Sequence, residues 1–258
     1  MTLRMLAACE MSGRVRSAFA ARGWDAWSAD LLPCEIPSYI TVSDQDWAIT
    51  NVDAVDYGNH YQGDVRDLFF WDHPVNEARR SEPYLAGIPA DQPWDLIIGF
   101  PPCTDLSQAG ARFWKQKQED GRQQAAADFF MEMYNAPGRY VAVENPRGIM
   151  SRLFRQPDQI VEPWWFGDPF AKKTCLWLRP GNFQLPLLVK QNEVVPEGRV
   201  ATGGGSWRTD QANGKTGMNN WEDSQGRARR HILRSLTMPK FAQAMADQWG
   251  EYIERQRG

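Results

Sequence analysis

Two short stretches carry residues whose types and spacing could do chemistry. In "GFPPCTDLSQAG", Gly99 to Gly110, Cys103 stands directly behind Pro101 and Pro102. Two consecutive prolines fix two φ angles and remove two backbone donors, so the chain leaves the preceding apolar run along a rigid path. A thiol held that way suits addition to an electron-poor carbon, since thiolate is a soft nucleophile and an ordinary thiol is already a few per cent ionised at neutral pH. Cys103 alone has a second reading of equal weight, because free cysteine is among the most buried residue types. In "VAVENPRG", Val141 to Gly148, another apolar run ends on a carboxylate, Glu144, followed by Asn145 and Pro146. An acid there could share a proton with a heterocycle; taken alone it also reads as a capping or ion-paired residue. A thiol and an acid on two rigid strand-end loops together form a constellation for covalent catalysis.

Two further signals are slighter. Gly13 lies in the turn after the first apolar run, and Asp30 follows at roughly the 20-residue distance at which an acid meets a ribose in a strand–turn–helix unit. "ACEMSGRV" holds one glycine where nucleotide sites have two or three, so Gly13 also reads as a plain helix start. Asp64, in "YQGDVRDL", follows a glycine after a possible strand, where a surface turn is an equal reading.

These residues need elements to carry them. "LRMLAAC" (3–9) reads as a buried strand, "SGRVRSAFAARG" as a helix ended by Gly23, and "WDAWSAD" (24–30) as a second strand ending in a carboxylate. "DLIIGF" (95–100), "RYVAVEN" (139–145) and "TCLWL" (174–178) are further strands. Helix formers with Phe129, Phe130, Met133 and Tyr134 on one side separate the first two of these. Such alternation predicts an α/β fold with a mostly parallel sheet, helices on both faces and ligands at the carboxyl ends of the strands. The division expected is a core over 1–178, a polar loop region over 179–233, and a C-terminal segment over 234–258 whose helix packs back through Phe241, Met245, Trp249 and Tyr252.

With 258 residues, 42% of them hydrophobic, the chain can bury a substantial core. The opening residues do not read as an export signal and no apolar run reaches membrane-spanning length, so a soluble, cytoplasmic protein is expected. The four cysteines and three histidines are scattered without metal-ligand spacing, so no metal is expected. A net charge of -3 writes no general affinity for polyanions into the whole, and a nucleic-acid surface would have to be local. The arginine-rich run "GRARRHILR", 226–234, is a candidate for one, or a solvated basic face.

The order of "GFPPCTDLSQAGARFW", "ENPRGIMS", "FGDPFAKKTCLWL" and "AMADQW" resembles the cytosine-C5 DNA methyltransferases, and among them the short single-domain enzymes of bacteriophages and prophages. Related amino-methyltransferases carry an aromatic where Cys103 stands. The resemblance implies a Rossmann-like methyltransferase fold and S-adenosylmethionine as donor. It places the donor on Cys9, Glu10, Ser12 and Gly13, on Asp30 at the ribose, on Asp64 with Val65 at the adenine, and against Pro101. It implies Cys103 as the nucleophile that adds to C6, Glu144 as the acid at N3 and the amino group, and Lys173 in place of a family arginine at the cytosine carbonyl, where it lacks the arginine fork. Substrate contacts are implied for Pro102, Ser107, Asn145, Pro146 and Arg147, and in the loop region for Trp207, Arg229 and Arg230. The partner is DNA, with the target base flipped out of the duplex, a monomer is favoured, and the setting is a bacterial host cell.

The chain also departs from that family. Only residues 179–233 are available for target recognition, and "RSLTMP" (234–239) replaces a late asparagine motif that helps hold the donor. A modified sulfonium donor, the same chemistry on transfer RNA, and a non-catalytic DNA-binding relative are the alternatives.

Overall fold

The computed structural model describes residues 2–34, 38–42, 47–51, 59–69, 94–168, 170–191, 201–202 and 236–257. Its centre is a seven-stranded sheet. In chain order the strands and helices begin β1 (Arg4–Ala8), α1 (Arg14–Ala20) and β2 (Asp25–Asp30). A separate antiparallel pair, β3 (Ser38–Val42) with β4 (Trp47–Asn51), follows. Then come β5 (His60–Gln62), α2 (Arg66–Phe69), β6 (Leu96–Gly99), α3 (Trp114–Glu119), α4 (Arg122–Tyr134), β7 (Tyr140–Pro146), α5 (Met150–Leu153) and β8 (Gln159–Val161). The two-residue strand β9 (Phe170–Ala171), β10 (Thr174–Leu178) and the two-residue β11 (Ala201–Thr202) complete the strands among the described residues. The C-terminal segment runs through α6 (Pro239–Met245), a π-helical turn (Ala246–Gly250) and α7 (Glu251–Arg257).

The strands lie in the order β5-β2-β1-β6-β7-β10-β8, and β10 alone runs against its neighbours. Side chains alternate between the two faces of a strand, and here both faces are covered. Met5, Ala7, Leu96, Ile98, Tyr140, Ala142, Leu176 and Leu178 meet α1 and the C-terminal helices through Phe19, Phe241, Met245 and Trp249. Leu6, Ala8, Ile97, Val141, Val143 and Trp177 meet α2 and α4 through Leu68, Phe130, Met133 and Tyr134. The expected mostly parallel α/β sheet, with helices on both faces, is therefore what the chain forms.

The register decides which residues reach the carboxyl edge together. Ala8 pairs with Ala29 and with Gly99, Gly99 with Val143, and Asp30 with Gln62. Cys9, Asp30, Gly63, Phe100 and Glu144 therefore emerge at one edge. Because β10 is antiparallel, with Thr174 opposite Pro146, it is the start of this strand and the two lysines before it that reach the same edge.

The sequence reading omits the edge strand β8 and the β3–β4 pair, and it takes the C-terminal segment as one uninterrupted helix. Of the 179–233 region, residues 192–200 and 203–233 lie outside the described residues, and with them Trp207, Arg229 and Arg230. Among the described residues no helix is long and apolar enough to cross a membrane.

Candidate active site

The strand order turns around between β1 and β6: the chain builds outward from β1 through β2 and β5, and from β6 through β7. In open α/β sheets, ligands bind at such a reversal, outside the carboxyl ends. The exit of β1 is Cys9 to Gly13 and the exit of β6 is Phe100 to Cys103. The Phe100 amide donates to the Ala8 carbonyl at 2.8 Å, so the two exits are still joined at the edge.

The first exit is a constrained turn. Cys9, at φ 57°, is the one non-glycine residue with positive φ among the described residues, a conformation that costs about 1–3 kcal/mol and persists where surroundings enforce it. Gly13 has φ 69°, and a Cβ there would sit 2.9 Å from Cys34 Sγ. Glu10 is buried; its Oε1 accepts from the Ser12 amide at 3.1 Å and from the Ser12 hydroxyl, while Oε2 has no hydrogen-bond partner among the described residues. Burial pushes the Glu10 carboxyl above its ordinary range, against the pull of Ser12, Arg14 and Arg16.

Asp30 and Asp64 both act on the Cys9 thiol, so residues from three separate segments share this mouth. Burial, the larger cause, followed by these two carboxylates, pushes the Cys9 thiol far up, which makes it a poor nucleophile. Asp30 accepts from the Leu32 amide at 2.9 Å, and its carboxyl is itself pushed up by burial. Asp64 is held by the Arg66 guanidinium through both oxygens, Oδ1 at 2.9 Å from Nε and Oδ2 at 2.5 Å from Nη2. Val65 is a core residue, 2% exposed, so it can offer a ligand its backbone and little else.

The second exit carries the thiol. Pro101 is buried and Pro102 exposed, with Cys103 half-buried behind them. The Cys103 carbonyl accepts from the Leu106 and Ser107 amides at 3.1 and 2.9 Å, which closes a turn around it. Several contacts fasten this turn to the exit of β7. Asn145 Nδ2 donates to the Pro101 carbonyl at 2.8 Å, the Gln108 amide to the Arg147 carbonyl at 2.8 Å, and the Ile149 amide to the Leu106 carbonyl at 2.8 Å, with a bridge between Ser107 and Gly148. A Cβ on Gly148 would run into the Leu106 carbonyl, so only glycine lets the loops approach this closely. Pro146 is half-buried, and Arg147 keeps its side chain in solvent.

Glu144, two residues before the end of β7, is 9% exposed, and the Thr174 hydroxyl donates to its Oε1 at 2.5 Å. Its charge reaches Cys103. Burial is the larger cause lifting the thiol above its ordinary value and Glu144 adds to it, while Lys172 and Lys117 pull it down.

Lys173, expected at the cytosine carbonyl, is exposed, and the neighbouring half-buried Lys172 is one of two cations, with Lys117, that act on Cys103. The sequence reading misses Lys172, Thr174, Gly148 and Lys117. Gly148 stands in the quoted motif and Thr174 directly follows the lysine pair, but Thr174 gains its role only through the pairing of β7 with β10, and Gly148 only through the approach of the Leu106 carbonyl.

A surface cavity lies at the opposite, amino end of the sheet, between Leu3, Arg22, Trp24 and Glu254. It has no contact with this site.

No family model and no curated protein matches the chain. Among solved structures it is similar to a prophage-encoded E. coli protein assigned as a DNA modification methyltransferase, with TM-score 0.41 and 18% identity over 69% of this chain and 46% of that one. It is also similar to a methyltransferase of Entamoeba histolytica, with TM-score 0.37 and 13% identity over 75% of this chain and 58% of that one. The chain thus spans about half the length of these proteins. Likeness of this degree carries no argument about chemistry, which rests on the residues themselves.

Proposed function

We propose that the chain transfers a methyl group from S-adenosylmethionine to C5 of cytosine in DNA, with Cys103 as covalent nucleophile and Glu144 as the acid. The observation that carries this reading is the fastening of the Cys103 turn to the exit of β7, one residue beyond Glu144, by the Asn145–Pro101 hydrogen bond and the Ser107–Gly148 bridge. Holding reacting groups in register is worth several powers of ten in rate.

The mouth of β1 fits the donor. Glu10 Oε2, without a hydrogen-bond partner among the described residues, is an acceptor for a hydrogen-donating or cationic group, Gly13 keeps the turn open, and Asp30 can accept from ribose hydroxyls. Asp64, already engaged by Arg66, is left with less to offer. S-adenosylmethionine, when bound, supplies an electrophilic methyl group.

The chain's own residues do the rest. The Cys103 thiolate forms a bond to C6, and the electrons of the C5–C6 double bond become available at C5. Glu144 hydrogen-bonds N3 and the amino group, which stabilises the adduct; Thr174 holds Oε1 and leaves Oε2 to the base. After transfer, loss of the C5 proton and cleavage of the S–C6 bond release the thiolate. Duplex DNA hides these carbons in the stack, so the base is flipped outward. The thiol lies above its ordinary value, and Lys172 and Lys117 offset part of that elevation.

The test is incubation with S-adenosylmethionine and DNA carrying 5-fluorocytosine. A stable protein–DNA adduct through Cys103 is expected, because fluorine cannot leave as the proton does. Turnover of ordinary DNA without any adduct would overturn the addition step, and methylation of transfer RNA in place of DNA in a parallel assay would move the substrate.

A further inference from the structure

Beneath the Cys103 turn lies a buried ammonium that the reaction scheme leaves unused. Lys117 projects from α3 and is 6% exposed. Its Nζ donates to the Thr104 carbonyl at 2.5 Å and lies 3.0 Å from Asp105 Oδ1. Lysine is seldom buried unless paired, since desolvating the charge is costly. The space for it comes from Gly110: a Cβ there would fall 3.2 Å from Lys117 Nζ and 3.3 Å from the Thr104 carbonyl. From α4, Gln123 adds a hydrogen bond to the Asp105 carbonyl at 3.3 Å and is itself held by Gln118 at 2.9 Å.

We propose that Lys117 is a positioning residue of the active site: its ammonium holds Thr104 and Asp105, the two residues that follow Cys103, and so fixes the thiol from beneath the loop. The proposal rests on the reading of Cys103 as nucleophile. Two prolines constrain the loop on one side of Cys103 and Lys117 constrains it on the other, so the thiol is anchored at both ends. The same ammonium supplies positive charge to the thiolate. The other charges acting on Cys103 are Lys172, which acts in the same sense, and Glu144, which opposes them.

The test replaces Lys117 with Met, which keeps the stem and removes the charge and donors, and with Arg, which keeps the charge. Alkylation of the Cys103 peptide by iodoacetamide is followed against pH by mass spectrometry, beside kcat and KM for DNA. Expected for Lys117→Met is a rise of the alkylation midpoint by about one pH unit, the scale of a lost neighbouring charge. Also expected is a fall in kcat of about tenfold or more with KM little changed, and partial recovery of both in Lys117→Arg. If Lys117→Met does not fold because Asp105 is left unpaired, the double variant Lys117→Met with Asp105→Asn is read in its place. A wild-type midpoint and wild-type kcat in the folded variant would overturn the proposal, even with a lowered melting temperature. Failure of the methylation reading would be seen separately, as wild-type protein that alkylates normally and transfers no methyl group to cytosine.

Discussion

Thr174 and Glu144 approach across the antiparallel β7–β10 pair, and the hydroxyl donates to Glu144 Oε1 at 2.5 Å. One strand thus presents the carboxyl group and the reversed strand orients it. A hydrogen bond to a charged group contributes about 1.5–3 kcal/mol, and each 1.4 kcal/mol is tenfold in rate. Thr174→Val, close in shape but without the donor, is expected to lower kcat about ten- to a hundredfold with KM for DNA nearly unchanged. Thr174→Ser should retain most of the activity. Steady-state kinetics on the two variants checks this, and equal kcat in all three proteins would remove Thr174 from the site.

The two groups proposed to react separate differently. Cys103→Ala removes the proposed nucleophile without touching the β1 exit, so methyl transfer should vanish while S-adenosylmethionine binding by calorimetry persists. Glu144→Gln keeps the shape and loses proton sharing, and should cost at least ~100-fold in rate, within the range for a general acid. Full activity of Cys103→Ala would reject the covalent route.

Lys172 and Lys173 make a paired prediction. A cation near a thiol favours the thiolate, so removing it raises the thiol's pKa. Lys172→Met should shift the alkylation of Cys103 to higher pH, whereas Lys173→Met, altering an exposed side chain, should not. A shift with Lys173→Met alone would make Lys173, and not Lys172, the cation that favours the thiolate.

That pair also shows where sequence reading stops. Cys103 and Glu144 are legible because each ends a short apolar run, and because proline and asparagine mark where the strand must stop. Which of two adjacent lysines acts on the site depends on the register of β10, and a one-residue slip reverses every side chain along a strand. Nothing local to "KKTCLWL" states that register. The role of Gly148 is hidden for a similar reason, since its close neighbour is the carbonyl of Leu106, far back in the chain. Lys117 reads as one more polar residue in an exposed-looking helix until the turn folds over it. The edge strand β8 is short and has exposed Ile160 at its centre, so neither alternation nor length announces it.

Gly148 yields a stability prediction. A methyl group there must displace the Leu106 carbonyl, and overpacking of this kind costs about 1–3 kcal/mol. Gly148→Ala should lower the melting temperature and also depress kcat, because the displaced loop carries Cys103. A melting curve beside a rate measurement separates the two effects. Unchanged values of both would mean that the loops part without cost.

The last prediction concerns pH. Asp168 is 1% exposed and accepts from the Lys240 and Phe241 amides at 3.1 and 2.8 Å, tying the start of α6 to the body of the fold. Burial dominates these hydrogen bonds and the pull of Arg14 and Lys240, and raises the carboxyl to about 6. Arg14 in turn donates to the Thr237 carbonyl at 2.5 Å, which joins this cluster to the β1 exit. The unfolded chain holds the same carboxyl at about 3.9, so between these values the folded state binds a proton that the unfolded state lacks. This group's contribution to stability therefore rises as pH falls from about 7 toward 4, the reverse of a salt-bridged aspartate. Against Asp168→Asn, which cannot titrate, wild type should gain about 1.4 kcal/mol between roughly pH 7.5 and 5. Urea denaturation of both proteins at the two pH values measures that difference. A difference of zero, or one favouring wild type at the higher pH, would mean that the α6 hydrogen bonds outweigh burial and that Asp168 stays ionised throughout.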